Sequence, residues 1–515
     1  MNNNNGFGNR SRRSRRARRA KGALRLAVVV AALLVAFVVF VERRSPAPPV
    51  APIVAPARLP APTPPAKPWT FEQVHRLRGT LAAAFAPAIA GATHWSLCVM
   101  SAQGSVLFAV HARTGVKPAS VTKLVVATTA LDVLGGSYRY HTFLVSSGSP
   151  DASGTLAGDL WLVGSGDPSL RSTDLAAGVR QLRRQDVRHI AGGVVVDADA
   201  FTGPEINPFW NPQDANEDYQ APVSAISLDG DTIEFDVRGT TPGAPAAVRE
   251  NPWSGALHAM GGITTVAAAD DPSVIVAALA SPNHFALSGD VPAGETDREW
   301  VPVHGMAHYA GAVLTQLLHE QDVTTAAAPG VGTAPASRIV LWDHASAPLR
   351  HLERHMLYLS DNHYAEQLLR TLGLVADGTG DDAHGLSVER EDLARRGVPL
   401  SGARLVDGSG LSEADRLSSL TIATILVRAL AMPQERGFYD LLPQGGRSGT
   451  LEGYAFTSAL GRVRAKTGHL TGVSSLAGYV VSRHHGVVAF AFMIDGSPGD
   501  PDGAMVHAVD RIAEL

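Results

Sequence analysis

Ser120 and Lys123 stand three residues apart where Pro118-Ala-Ser-Val-Thr-Lys123 runs into the apolar-rich stretch Leu124-Val-Val-Ala-Thr-Thr-Ala-Leu131. Residues three apart on a helix share a face, so this spacing puts a hydroxyl and an amine within hydrogen-bond reach on one turn. Alone, the pair reads as a serine and a surface lysine at the head of an ordinary amphipathic helix. Two more polar triplets change that reading: Ser360-Asp361-Asn362, opening a helical pattern, and Lys466-Thr467-Gly468, ending an alternating strand. Each triplet alone occurs by chance in long proteins, but in this order and these contexts the three together make a strong signal.

The three triplets suit acyl transfer. Ser120 must lose a proton as it attacks a carbonyl, and Lys123 takes that proton only if its ammonium is deprotonated first. Burial and a second cation, Lys466, are both expected to lower its pKa. Ser360 reads as a relay to the leaving amine and Asn362 as a group that orients the substrate amide. Backbone N–H groups at the first turn of the Ser120 helix and at the strand edge after Gly468 can stabilise an oxyanion. A side chain at position 468 is expected to block the substrate from lying along the strand.

A chain of 515 residues exceeds one compact core and is expected to hold about three domains. Residues 1–44 carry eleven Lys/Arg against the single Glu42, so the remainder is acidic. An acidic body argues against nucleic acid as partner. Residues 1–25 read as a basic cytoplasmic tail, and the unbroken apolar run 26–41 as a transmembrane signal anchor, with a cleaved signal peptide as the alternative. Ten prolines between Ser45 and Pro68 predict an extended spacer. The catalytic domain is expected over 69–144 and 317–515, interrupted by an inserted region, 145–316, with a nested β-rich subdomain. Phe71 to Ile89 reads as a helix, Trp95 to Ala112 as two strands, and 462–466, 475–482 and 487–494 as three more. The single cysteine, Cys98, lies in an alternating strand pattern and is expected in the core; it excludes a disulfide framework. No cofactor and no metal is expected. His351-Leu-Glu-Arg-His355 has its glutamate misplaced for a zinc site, and these histidines read as a helix surface. Gly408-Ser-Gly410 reads as a turn rather than a nucleophile elbow, with Asp407 making structural hydrogen bonds there.

On these triplets the chain resembles the class C low-molecular-mass penicillin-binding proteins, D-alanyl-D-alanine carboxypeptidases and endopeptidases. The resemblance extends to Gly166-Asp-Pro-Ser-Leu170, Tyr219-x-Ala-Pro-Val-Ser-Ala-Ile226, Val406-Asp-Gly-Ser-Gly-Leu411 and Gly449-Thr-Leu-Glu-Gly453. It implies an α+β fold of the serine β-lactamase/DD-transpeptidase type, an antiparallel sheet flanked by helices. It also implies a catalytic body in the periplasm, tethered to the cytoplasmic membrane. The substrates implied are peptidoglycan stem peptides or their cross-links, and β-lactams would acylate Ser120. Ser120, Lys123, Ser360, Asn362 and Lys466 are then the catalytic set, with Thr467, Gly468 and His469 at the substrate. His469 departs from the Thr or Ser usual there, whose hydroxyl helps hold the substrate's terminal carboxylate; a protonated imidazole could do the same. Asp214 is a candidate for an acidic residue that reaches the cleft from the inserted region. The competing readings are a membrane-tethered wall-binding protein with little catalysis, and a β-lactamase, against which the length and the insertion weigh.

Overall fold

The computed structural model describes residues 67–267, 272–431 and 437–515, all inside the compact unit Pro62–Leu515. The expected tail at 1–25, the anchor at 26–41 and the spacer up to residue 66 lie outside the described residues. Among the described residues no helix is long and apolar enough to cross a membrane.

Helix α1 (Phe71–Ile89) opens the catalytic body behind a reciprocal cap between Thr70 and Gln73, and buries Leu77, Leu81 and Phe85 at helical spacing. Strands β1 (His94–Ser101) and β2 (Val106–Val110) follow, then helix α2 (Lys123–Val133). The chain next builds the inserted segment from β3 (His141–Ser146), β4 (Leu160–Val163), α3 (Ser172–Arg184) and β5 (Val194–Asp197). It continues with β6 (Thr232–Arg238), β7 (Ala247–Asn251), β8 (Thr296–Pro302), α4 (Met306–Glu320), β9 (Gly330–Val331) and β10 (Ile339–Ala345). Helices α5 (Leu349–Leu359), α6 (Asn362–Asp377), α7 (Asp382–Arg395) and α8 (Ser419–Ala431) return it to the catalytic body. Strands β11 (Val463–Leu470), β12 (Val473–Ser482) and β13 (Gly486–Asp495) and helix α9 (Pro501–Glu514) close it.

The catalytic sheet has the order β11-β12-β13-β1-β2 and is antiparallel throughout. Its period-two alternation feeds two cores. Leu97, Val99, Phe490 and Phe492 face α1 and α9, while Cys98, Met100, Ala489 and Ala491 face the layer built on α2 and α8. Cys98 is thus a core residue, and burial pushes its thiol up to about 12. Helix α2 lies inside that second core, buried from Lys123 to Leu131, so its head cannot drift. Strand β11 runs on to Leu470, beyond the strand expected to stop at Lys466, because Gly468 to Leu470 pair with Val473 to Ser475 across a two-residue turn.

In the inserted segment a five-stranded sheet runs β9-β5-β4-β3-β10 and a smaller one β8-β6-β7. Its core continues past residue 316 through Leu341 and Trp342, since β10 returns antiparallel to β3. The stretch 204–227 reaches out of this segment and lies against one side of α6. Gln367 donates to the Ser224 carbonyl, Arg370 to the Pro204 and Val223 carbonyls, and His363 bonds Ser227 and the Pro222 carbonyl. This strap is where the inserted segment meets the cleft.

Candidate active site

Ser120 sits in a 3-10 turn, Ala119–Thr122, that leads into α2, so the expected single helix starts as a tighter turn. Ala119 takes a positive φ of 49° just before it. A non-glycine residue there is strained, and the surroundings hold it: a Cβ on Gly410 would lie 2.0 Å from the Ala119 carbonyl oxygen. Ser360, between α5 and α6, also takes a left-handed φ of 61°. That break is what lets Asp361 cap α6, accepting from the Tyr364 N–H, while Asn362 begins the helix.

Lys123 is fully buried, and its Nζ meets three oxygens: Ser120 Oγ at 3.1 Å, Asn362 Oδ1 at 2.6 Å and the Ser409 carbonyl at 2.8 Å. Burial lowers its pKa to about 8, against the opposing pull of Asp407, Glu366 and Asp361. Desolvation is therefore the cause of the lowering; the second cation expected from sequence, Lys466, is not among its causes, and the charged neighbours that count are carboxylates pulling the other way. The three partners decide how a neutral amine points. Asn362 Oδ1 and the Ser409 carbonyl accept only, so they take its two N–H bonds. The lone pair is left facing the Ser120 hydroxyl, the orientation a general base needs. Asn362 donates its Nδ2 to the Tyr219 carbonyl at 2.9 Å, which settles which end of the amide faces Lys123.

Lys466, also fully buried, donates to Ser360 Oγ at 2.8 Å and to the Thr467 carbonyl at 2.7 Å. Strand β11 lies at the edge of its sheet, and the Ala465 N–H points away from β12 to the Pro443 carbonyl. By the strand's period of two, the N–H groups of Thr467 and His469 face the same side. A Cβ on Gly468 would lie 2.9 Å from Ser120 N, 3.0 Å from the Pro118 carbonyl and 2.4 Å from Ser475 Oγ. The close approach of the Ser120 turn and of Ser475 thus already requires a glycine here, a reason additional to the substrate clearance expected from sequence. Ser475 Oγ ties the same two segments, 2.7 Å from the Pro118 carbonyl and 3.1 Å from that of Gly468.

Thr467 Oγ1 donates to Thr450 Oγ1 at 2.8 Å. His469 is half exposed; its Nε2 lies 3.1 Å from Asp502 at the head of α9 and 3.3 Å from the Tyr454 hydroxyl. Asp214 lies in the short turn Pro212–Asp214, accepting from Asn211. It helps burial raise the Tyr219 phenol, and Tyr219 is the residue whose carbonyl holds Asn362.

Several participants went unnoticed in the sequence. His351 is exposed, as expected of a helix surface, while His355 is only partly so: its Nε2 is 3.1 Å from Asp361 Oδ2 and its ring stacks on Tyr364 at 4.3 Å, bracing the Ser360 triplet. Glu366, one turn after Asn362, accepts the N–H groups of Gly408 and Ser409; burial, then Asp407, push its carboxyl up to about 8. Asp407 accepts from Gly410, Ser412 and the Trp210 indole, the structural role expected of it. Thr450 and Tyr454 fall in or beside the Gly449–Gly453 motif, which could have pointed to them; nothing marked Ser475 or Asp502. Among the described residues no group of His, Cys, Asp or Glu is arranged to hold a metal.

Residues 79–514 match the model of the D-Ala-D-Ala carboxypeptidase 3 (S13) family. A D-alanyl-D-alanine carboxypeptidase of Actinomadura sp. (strain R39) is 30% identical over 450 residues, covering 83% of this chain and 82% of that one. A carboxypeptidase of Mycolicibacterium smegmatis is 30% identical over 526 residues, covering 96% and 94%. The crystal structure of penicillin binding protein 4 from Haemophilus influenzae superposes with a TM-score of 0.73 at 22% identity, over 84% of this chain and 98% of that one. A second structure of that protein, complexed with a β-lactam, gives 0.68.

Proposed function

The chain belongs to the D-Ala-D-Ala carboxypeptidase 3 (S13) family, and from that premise we propose how its residues divide the work of a serine-type D-Ala-D-Ala carboxypeptidase. The neutral Lys123 amine takes the Ser120 proton as Oγ attacks the carbonyl carbon of the penultimate D-Ala. The oxyanion forms against the N–H groups of Ser120 and His469. The carbonyl re-forms as the C–N bond breaks, and the departing D-Ala amine receives, through Ser360, which Lys466 holds, the proton that Lys123 took, which leaves the Lys123 amine neutral again. Water then enters along the same base to release the acyl group from Ser120. Thr467, Thr450 and His469 receive the terminal carboxylate. The same cleft takes the D-Ala to diamino-acid cross-link, an endopeptidase reaction, with Asp214 and Tyr219 at the rim nearest the inserted segment. β-Lactams acylate Ser120 by the same first step. Residues 26–41 anchor the protein in the cytoplasmic membrane with the catalytic body outside it.

The observation that carries this reading is the Lys123 amine, buried, poised near pH 8 and aimed by two acceptors at Ser120. A lysine acting as base works only when neutral, so acylation by a labelled penicillin should rise with pH through about 8 and level off above it. The label should vanish in Ser120→Ala. No label on the wild-type protein, or label that survives the substitution, would exclude the acyl-enzyme.

A further inference from the structure

Glu366 takes no part in the reaction just described, yet it is 1% exposed and one helical turn from Asn362 on α6. Its carboxyl accepts three contacts from the turn at 408–409: Gly408 N at 3.1 and 3.2 Å and Ser409 N at 2.8 Å. That turn has little slack. A Cβ on Gly408 would lie 3.0 Å from the Ala365 carbonyl, and one on Gly410 would lie 2.0 Å from the Ala119 carbonyl. The carbonyl that this turn turns outward, that of Ser409, is one of the two acceptors on Lys123 Nζ.

We propose that Glu366 is a positioning residue for the reaction: by gripping the N–H groups of Gly408 and Ser409 it aims the Ser409 carbonyl at Lys123, and so aims the lysine lone pair at Ser120. Helix α6 then sets both acceptors on the amine, Asn362 directly and Ser409 through Glu366 one turn on. If the Ser409 carbonyl swings away, the neutral amine has only one acceptor. It can rotate about Cε–Nζ, and the lone pair leaves the line to Oγ. The substrate meets neither Glu366 nor the turn's N–H groups, so ground-state binding is spared.

This rests on Lys123 as the base. The test is stopped-flow acylation of the full-length protein by benzylpenicillin at a pH above the acidic limb. It resolves the first-order acylation constant k2 from the dissociation constant K of the prior complex, with melting temperatures alongside. Glu366→Met keeps the volume and loses every acceptor; k2 should fall by about 100-fold, the scale of a misdirected catalytic group, with K unchanged. Glu366→Gln keeps the oxygen that accepts from both Ser409 N and Gly408 N but sets an NH2 against the second Gly408 contact, where the carboxylate offers an acceptor. It should lie between wild type and Met, again with K unchanged. If the Met variant does not fold, the Gln shortfall in k2 carries the test. A Gln variant that acylates like wild type, or a variant whose K worsens together with k2, overturns the proposal. Absence of label on wild type would instead reject the acyl-enzyme itself, a separate result.

Discussion

Beneath the cleft the catalytic body buries Lys123, Lys466, Glu366, Asp407, Asp415 and Arg370, whereas the inserted segment packs Leu144, Leu162, Val196, Phe235, Leu314 and Trp342 around its sheet. Burying charge costs free energy unless every group is met by a partner, and apolar burial carries no such condition. The inserted segment is held mainly by apolar area, with a few buried carboxylates such as Asp167 and Asp231 as local exceptions. The catalytic body keeps Lys123 dry because burial is what lowers its pKa, while Glu366 and Asp407, which pull the other way, are occupied holding the backbone of 408–412. The two meet at the strap 204–227, where the inserted segment offers α6 mainly backbone carbonyls. Such contacts fix Asn362 and His363 in place without adding charge to the cleft.

That contrast is open to attack from the apolar side first. Phe235 is fully buried, edge-on to Phe285 at 5.5 Å. Phe235→Ala should lower stability by about 3–5 kcal/mol, the cost of a large cavity. Below the lowered melting temperature, penicillin acylation of the folded protein should stay at the wild-type rate. A parallel loss of acylation in fully folded protein would mean that the inserted core and the cleft are one mechanical unit.

Gly468→Ala attacks from the other side. The new methyl would press on Ser120 N and Ser475 Oγ, and neither the backbone nitrogen nor the paired strand can yield cheaply. The displaced oxyanion donors should lower k2 by about 10²–10³-fold, while the melting curve moves far less than in Phe235→Ala. An alanine variant with wild-type k2 would show that β11 and the Ser120 turn do not depend on that close approach.

Much of the catalytic body could be read from the sequence because its signals are local. The helix at 71–89 announces itself by apolar spacing and its cap, the five strands by alternation, and the three polar triplets by type and order. What stayed hidden depends on convergence. His355 looked like a surface residue because Asp361 is brought to it only by the left-handed break at Ser360. Glu366 sits in an ordinary helical pattern, and its partners arrive from a turn more than forty residues away. For Gly468 the linear motif suggests a substrate as the neighbour and cannot show that Ser120 N and Ser475 Oγ already lie against it.

The smallest effect belongs to the exposed rim, where His469 and Asp502 are 49% and 40% exposed, unlike the buried floor. Asp502 accepts from Nε2 of the ring, so a neutral His469 is left with a lone pair on Nδ1. Only a protonated ring offers a second N–H to a substrate carboxylate while Asp502 holds the first. An exposed pair of this kind is worth about 0.2–1 kcal/mol. Asp502→Asn should therefore raise KM for a stem peptide with a free terminal carboxylate by at most about fivefold. The same peptide closed as a C-terminal amide should show no change, and neither should k2 for penicillin once the site is saturated. Equal changes for acid and amide would mean that Asp502 shapes the rim without acting through charge. No change in either would take His469 out of carboxylate recognition and leave Thr467 and Thr450 to hold the substrate's end.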